Sequence, residues 1–198
     1  MKKIVLTILS LCMLSSVAMA SPLMDYSKGK AAVDLTFRNS EVTCEGTDSD
    51  KKSKLDLSIT YSLGDNKALQ YRHFAPEMDG DTVVTNEFNY LRKINKNVSA
   101  FVGLMNVHVS DTIGSTSNDY NSTFTQLGVI GSTNLSAKTT LWGALAVGSD
   151  SMTNLEVGLS YAITPKLELN VNYRDMKLNI DDSDLKVKGT GVGITYKF

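Results

Sequence analysis

His108-Val109-Ser110 sets an imidazole and a hydroxyl on one face of an extended segment, about 7 Å apart, and Asp111 follows directly. A histidine that takes the proton of a serine creates an acyl-transfer nucleophile, provided a third group orients the ring. No Glu occurs between Glu87 and Glu156, so Asp111 or Asp119 has to serve. Tyr71-Arg72-His73-Phe74-Ala75 repeats the spacing with Ala75 in the nucleophile position, which removes the chemistry. His73 near Asp79 and Asp81 is a fainter arrangement of a histidine with acids.

Two other groups of charges stand out. Asp34, Arg38, Asp56, Arg72, Glu87, Glu156, Glu168, Arg174 and Lys197 fall on the polar face of alternating segments. Carboxylates and cations enclosed together either pair and close a space or set the selectivity of a channel through it. A second set, including Glu45, Asp48, Asp50, Glu77, Asp79, Asp81, Asp119, Asp181, Asp182 and Asp184, clusters between those segments. Such oxygen ligands suit divalent cations, but none has the spacing of a calcium loop with a closing Glu at position twelve. No cofactor-binding motif is present.

The elements that position these groups are strands. Leu55, Leu57, Ile59, Tyr61 and Leu63 alternate with Asp56, Ser58, Thr60 and Ser62, and Leu155 to Ile163 repeats the pattern. After Thr164-Pro165-Lys166 it resumes as Leu167, Leu169, Val171 and Tyr173, which predicts a hairpin with a very short turn. The reading yields strands over 29–38, 54–63, 67–75, 83–92, 98–109, 123–132, 138–148, 154–163, 167–176 and 187–198. An even count suits an antiparallel barrel with both termini on one side; eight strands with one hairpin outside the wall is the alternative count. Short connections, such as Gly64-Asp65-Asn66, alternate with longer polar ones over 39–53, 76–82, 110–122, 149–153 and 177–186, which read as solvated outer loops.

The fold class is therefore all-β, an antiparallel up-and-down transmembrane barrel over residues 21–198. Strands of about nine residues have the length to cross a hydrocarbon layer, and no stretch after the leader has the ~18 apolar residues of a spanning helix. A soluble sandwich would turn its apolar faces inward, leaving no enclosed place for the charged face. Tyr61, Tyr90, Phe101, Trp142, Tyr161, Tyr196 and Phe198 fall near the short-turn ends, and Phe37, Tyr173 and Phe124 toward the other, as two interfacial girdles would.

Lys2 and Lys3, the apolar run Ile4 to Val17 and Ala18-Met19-Ala20 predict a cleaved secretory signal peptide over 1–20. Bulky Leu11 before Cys12 argues against a lipid anchor there. Removing Lys2 and Lys3 from the 20 basic residues leaves a formal charge of −3 against 21 acidic ones, without the basic excess of a nucleic-acid binder. Cys44 then has no partner for an intramolecular disulfide.

The chain's closing Tyr196-Lys197-Phe198, an alternating strand ending on an aromatic, resembles the assembly signal of Gram-negative outer-membrane barrels. As architecture the whole resembles the porin-like and opacity-protein superfamily, including its YfaZ-type group. That resemblance implies outer-membrane lipid and lipopolysaccharide as surroundings, the barrel-assembly machinery as a partner read through Tyr196 and Phe198, and polar loops meeting an unspecified surface ligand. His108 and Ser110 loosely resemble the His-x-Ser arrangement of outer-membrane lipid A deacylases. Three functions are thus in view: a closed structural or surface-contact barrel, a narrow porin-like channel, and a lipid A hydrolase.

Overall fold

The computed structural model describes residues 25–78, 81–113, 116–180 and 183–198, with the backbone alone for 111–113 and 116–118. The expected signal peptide, the side chain of Asp111, and Asp79, Asp181 and Asp182 lie outside the described residues. The elements are β1 (Ala31–Cys44), β2 (Thr47–Asp48), β3 (Lys52–Gly64), β4 (Lys67–Phe74), β5 (Glu77–Met78), β6 (Asp81–Asn95), β7 (Val98–Ile113), β8 (Thr116–Asn134), β9 (Thr139–Gly148), β10 (Thr153–Ala162), β11 (Leu167–Ile180) and β12 (Ser183–Lys197). Each long strand pairs antiparallel with its sequence neighbours, and β12 returns to β1 in register from Ala32↔Lys197 to Cys44↔Leu185. The wall is a closed barrel of ten strands, with β2 and β5 as short additions at the rim. Closure leaves no unpaired edge, which spanning strands require because lipid offers backbone groups no partner. The eight-strand alternative does not hold.

The four short turns form where expected. In the first of them Gly64, Asp65 and Asn66 all adopt positive φ, which suits glycine and the short polar side chains. Between β10 and β11 the amides of Lys166 and Leu167 donate to Thr164 Oγ1 at 3.2 and 3.0 Å.

The long connections are different from the expectation. β1 runs on to Cys44, β8 begins at Thr116, β11 reaches Ile180 and β12 starts at Ser183, so much of the supposed loop sequence is wall. The period of two continues through these segments, but its polarity inverts. On β11, Leu169, Val171 and Tyr173 face outward beside inward Asn170, Asn172 and Arg174; past that level Asp175 and Lys177 face outward and Met176, Leu178 and Ile180 are buried inside. β12 inverts between outward Val192 and outward Lys188, and β1 between Phe37 and Glu41. Polarity suggested loops, yet the inward apolar positions give these extensions a core of their own.

Three aromatics assigned to the girdles point inward. Trp142 lies across Gly158, where a Cβ would come within 2.6 Å of the indole, and its Nε1 donates to Ser160 Oγ at 3.0 Å. Phe101 occupies the corresponding gap over Gly128, where a Cβ would fall 2.3 Å from the ring. Phe124 is also buried inside, in the apolar layer near the loop side. Tyr61, Tyr90, Tyr161, Tyr196 and Phe198 face outward at the short-turn end, and Phe37 and Tyr173 at the other.

Candidate functional site

The interior is layered. Toward the long connections, Val42, Phe74, Val83, Val107, Phe124, Met176, Leu178 and Val187 form an apolar layer inside the barrel. Below it lies a sheet of charge. Arg38, on β1, directs Nε and Nη2 to Asp56 Oδ2 on β3 at 3.1 and 2.9 Å and reaches Glu156 on β10 at 2.7 Å. Arg72 bridges the same acids, meeting Glu156 at 2.9 Å and Asp56 at 3.2 Å. Arg174 on β11 donates to Glu87 on β6 across the lumen, with its Nη1 3.8 Å from Asp56. Three guanidiniums and three carboxylates therefore meet from six different strands.

The strand pattern accounts for this convergence. Each of the six occupies an inward position with at least one apolar or aromatic outward neighbour, on both sides for Asp56 and Glu156, so burial in the lumen is the alternative to exposure at the edge of the lipid-facing band. Burying charge is costly unless it is paired and hydrogen-bonded, and the planar guanidinium can serve two carboxylates at once. Arg38 and Arg174 are each only 1% exposed. The layer touches the apolar one above it, since the Arg38 guanidinium sits 5.8 Å from the Phe74 ring centroid and Arg174 Nη2 is 3.6 Å from Met176 Sδ.

A cavity of about 70 Å³ lies among these groups, with Gln70, Asn89 and Trp142 among its walls. Arg38 Nη1, Arg72 Nε, Ser58 Oγ and Asn172 Oδ1, on residues that line it, have no protein hydrogen-bond partner. That volume is room for a few water molecules among polar walls.

The remaining members of the charge set expected from sequence sit apart. Lys197 and Glu168 form a separate pair at 2.5 Å near the short-turn end, and Asp34 accepts a hydrogen bond from Thr195. Sequence reasoning missed Tyr26. The segment before β1 inserts this ring, 3% exposed, into the short-turn end of the lumen, anchored by Gly29 N to Ser62 O at 3.2 Å and Ser62 N to Lys30 O at 2.8 Å. The sequence reading began a strand at residue 29, whereas Gly29 takes a positive φ in a turn and β1 starts at Ala31.

The hydrolase residues take up a different arrangement. His108 and Ser110 share the outer face of β7, above the apolar band. Ser110 Oγ donates to Asp119 at 2.6 Å, and His108 Nε2 lies 3.8 Å from the same carboxylate. The serine is hydrogen-bonded to the acid, the imidazole stands near it, and the serine and imidazole are not hydrogen-bonded to one another. His73 Nδ1 is instead 2.9 Å from Asn86 Oδ1, which also accepts from Tyr71 Oη at 2.8 Å. At the rim, Glu77 is clasped by Lys52 and Lys54 at 2.6 and 2.5 Å. Hydrogen bonds from Lys52 first and Lys54 next hold its carboxyl down at about 2.

The family described as outer membrane protein beta-barrel domain matches residues 8–198. The chain belongs to this family. Its place is the outer membrane, and the apolar outer face of this barrel is its lipid-facing surface. No curated protein sequence matches it. Among solved structures, Neisserial surface protein A is similar at 16% identity and TM-score 0.48, over 85% of this chain and 96% of that one. The monoaromatic hydrocarbon channel CymD is similar at 10% identity and TM-score 0.49, over 87% of this chain and 89% of that one. The attachment invasion locus protein Ail of Yersinia pestis, solved with the heparin analogue sucrose octasulfate, has 16% identity and TM-score 0.40, over 86% and 99%.

Proposed function

We propose that this outer-membrane barrel is non-enzymatic and non-conducting, and serves as a structural and surface-contact element. The observation that supports it is the charge layer, in which Arg38, Arg72 and Arg174 meet Asp56, Glu87 and Glu156 across the lumen beneath an apolar layer. An ion traversing this path would have to displace buried pairs and then enter hydrocarbon-like packing. Outside, the polar extension of the wall meets lipopolysaccharide and surface partners. Export relies on removal of residues 1–20, and the barrel-assembly machinery reads Tyr196 and Phe198. The hold of Asp119 on Ser110 supports the non-enzymatic reading.

Purified, refolded protein in planar bilayers gives no stable conductance on this reading; a reproducible ion-selective step overturns it. The polar cavity among the arginines favours a second reading, a narrow channel. In that case a conducting step appears and reversing the charge at Arg72 or Glu87 alters its selectivity.

A further inference from the structure

The two ends of the barrel differ in charge. The short-turn end carries Lys28, Lys30, Lys67, Lys96, Lys138 and Lys166 against Asp25 and Asp65, whereas the opposite rim carries carboxylates such as Glu45, Asp48, Asp50 and Asp184. In outer-membrane barrels the short turns face the periplasm. The cationic end of this one therefore meets the phospholipid leaflet.

At that end a cavity of about 700 Å³ opens between the segment before β1 and the turns joining β8 to β9 and β10 to β11. Its walls have two chemistries. Lys30, Lys138 and Lys166 supply cations, and Ile163, Pro165 and Phe198 supply an apolar lip. Ile163 and Phe198 are 47% and 57% exposed and extend the lipid-facing columns of β10 and β12 beyond Tyr161 and Tyr196. The lip is continuous with the surface that touches acyl chains.

The acidic side chains in the cavity, Asp25 and Glu168, are already engaged. Asp25 accepts from the amide and hydroxyl of Ser27 at 3.0 and 2.6 Å, and Glu168 is paired with Lys197. Lys138 and Lys166 are exposed and make no ion pair among the described residues, while their backbone amides are fixed by Ser136 and Thr164 at 3.2 Å each. Two cations on rigid mounts thus stand beside a greasy edge at head-group depth.

We propose that this pocket binds the phosphate of an anionic glycerophospholipid of the periplasmic leaflet, with Lys138 and Lys166 on the phosphate and the glycerol–acyl junction against Ile163 and Phe198. The inference rests on the orientation the family gives the barrel and not on whether the lumen conducts. A free phosphate would use the lysines and leave the lip without a role. Basic side chains near an anionic bilayer surface each contribute measurably to attraction.

The test is native mass spectrometry of the folded protein equilibrated with equimolar phosphatidylglycerol and phosphatidylcholine. Phosphatidylglycerol is retained preferentially, and Lys138→Gln with Lys166→Gln lowers its retention about ten- to thirty-fold. The matched pair Lys177→Gln with Lys186→Gln, on the opposite rim, leaves it unchanged, and heat-modifiable gel mobility verifies that both variants fold. Ile163→Asn weakens phosphatidylglycerol retention as well, and glycerol 3-phosphate does not displace the lipid. Equal retention of the two lipids, or equal losses in the two lysine pairs, overturns the proposal. Displacement by glycerol 3-phosphate, with no effect of Ile163→Asn, makes the pocket a soluble-phosphate site and overturns the lipid assignment.

Discussion

The lower and upper halves of this barrel use one backbone pattern with opposite polarity. Near the short turns, Leu159, Tyr161, Ile194 and Tyr196 face outward while Ser160, Thr195 and Lys197 face the lumen. Near the long connections, Lys177, Lys188 and Glu41 are outside while Leu178, Val187 and Val42 are packed inside. The lower half is arranged for lipid around it, and the upper half resembles a soluble barrel standing in water. A strand can serve both solvents because its two faces are independent at every residue. The charge layer marks the junction between the two halves.

The junction is where damage should cost most. Arg174→Met leaves Glu87 buried without its cationic partner, and a destabilisation of about 3–5 kcal/mol is expected, read as a lowered urea midpoint of the folded barrel. Arg174→Met combined with Glu87→Leu should recover a large part of it; a double variant as unstable as the single one would mean that the layer acts as a unit beyond this pair.

A smaller effect separates the halves directly. Leu159→Arg, on the outward face at the middle of the apolar column, should cost about 2–4 kcal/mol, whereas Thr43→Arg, outward but beyond the inversion on β1, should cost about 0–1 kcal/mol. Equal costs at the two positions in lipid-supported unfolding would erase the boundary drawn here.

The smallest effect concerns the rim of the upper half. The folded carboxyl of Glu77 lies near 2, below its ordinary 4.5, so the clasp with Lys52 and Lys54 contributes above about pH 4.5 and is lost as pH falls through about 2. Proteolysis at the β5 hairpin should therefore rise between pH 4.5 and 2 in the wild type, and Glu77→Gln should show the elevated rate throughout. A variant with the wild-type profile would remove Glu77 from the rim's support. The site is solvent-accessible, so the change is local and small.

Much of the lower half could be read in advance because lipid forces a clean contrast between faces. All ten strands, the short turns and the inward direction of Arg38, Asp56, Arg72, Glu87, Glu156 and Arg174 follow from alternation. The upper half could not be read so, since polar outward residues such as Asp175, Lys177, Lys186 and Lys188 look like loop composition until the inward apolar partners are counted with them. Phe101 and Trp142 were misassigned for a related reason. Their placement depends on the gaps at Gly128 and Gly158 on neighbouring strands, and a single strand's pattern carries no record of its neighbour's missing side chain. Which charges pair is likewise a property of closure: Arg38 and Glu156 are brought together by strands remote in sequence.

The seam between β1 and β12 has a consequence for how the molecule forms. Val33 pairs with Tyr196 and Phe37 with Val192, so the first strand finds one of its two partners only when the last strand arrives. Until then an apolar ribbon has a bare edge of backbone donors and acceptors, the kind of template on which chains add to one another. Contacts this distant in the chain are slow to form. The interval before the seam closes is thus the vulnerable period in this protein's life, and a helper that holds the β1 edge during it would govern yield more than any contact within the finished wall.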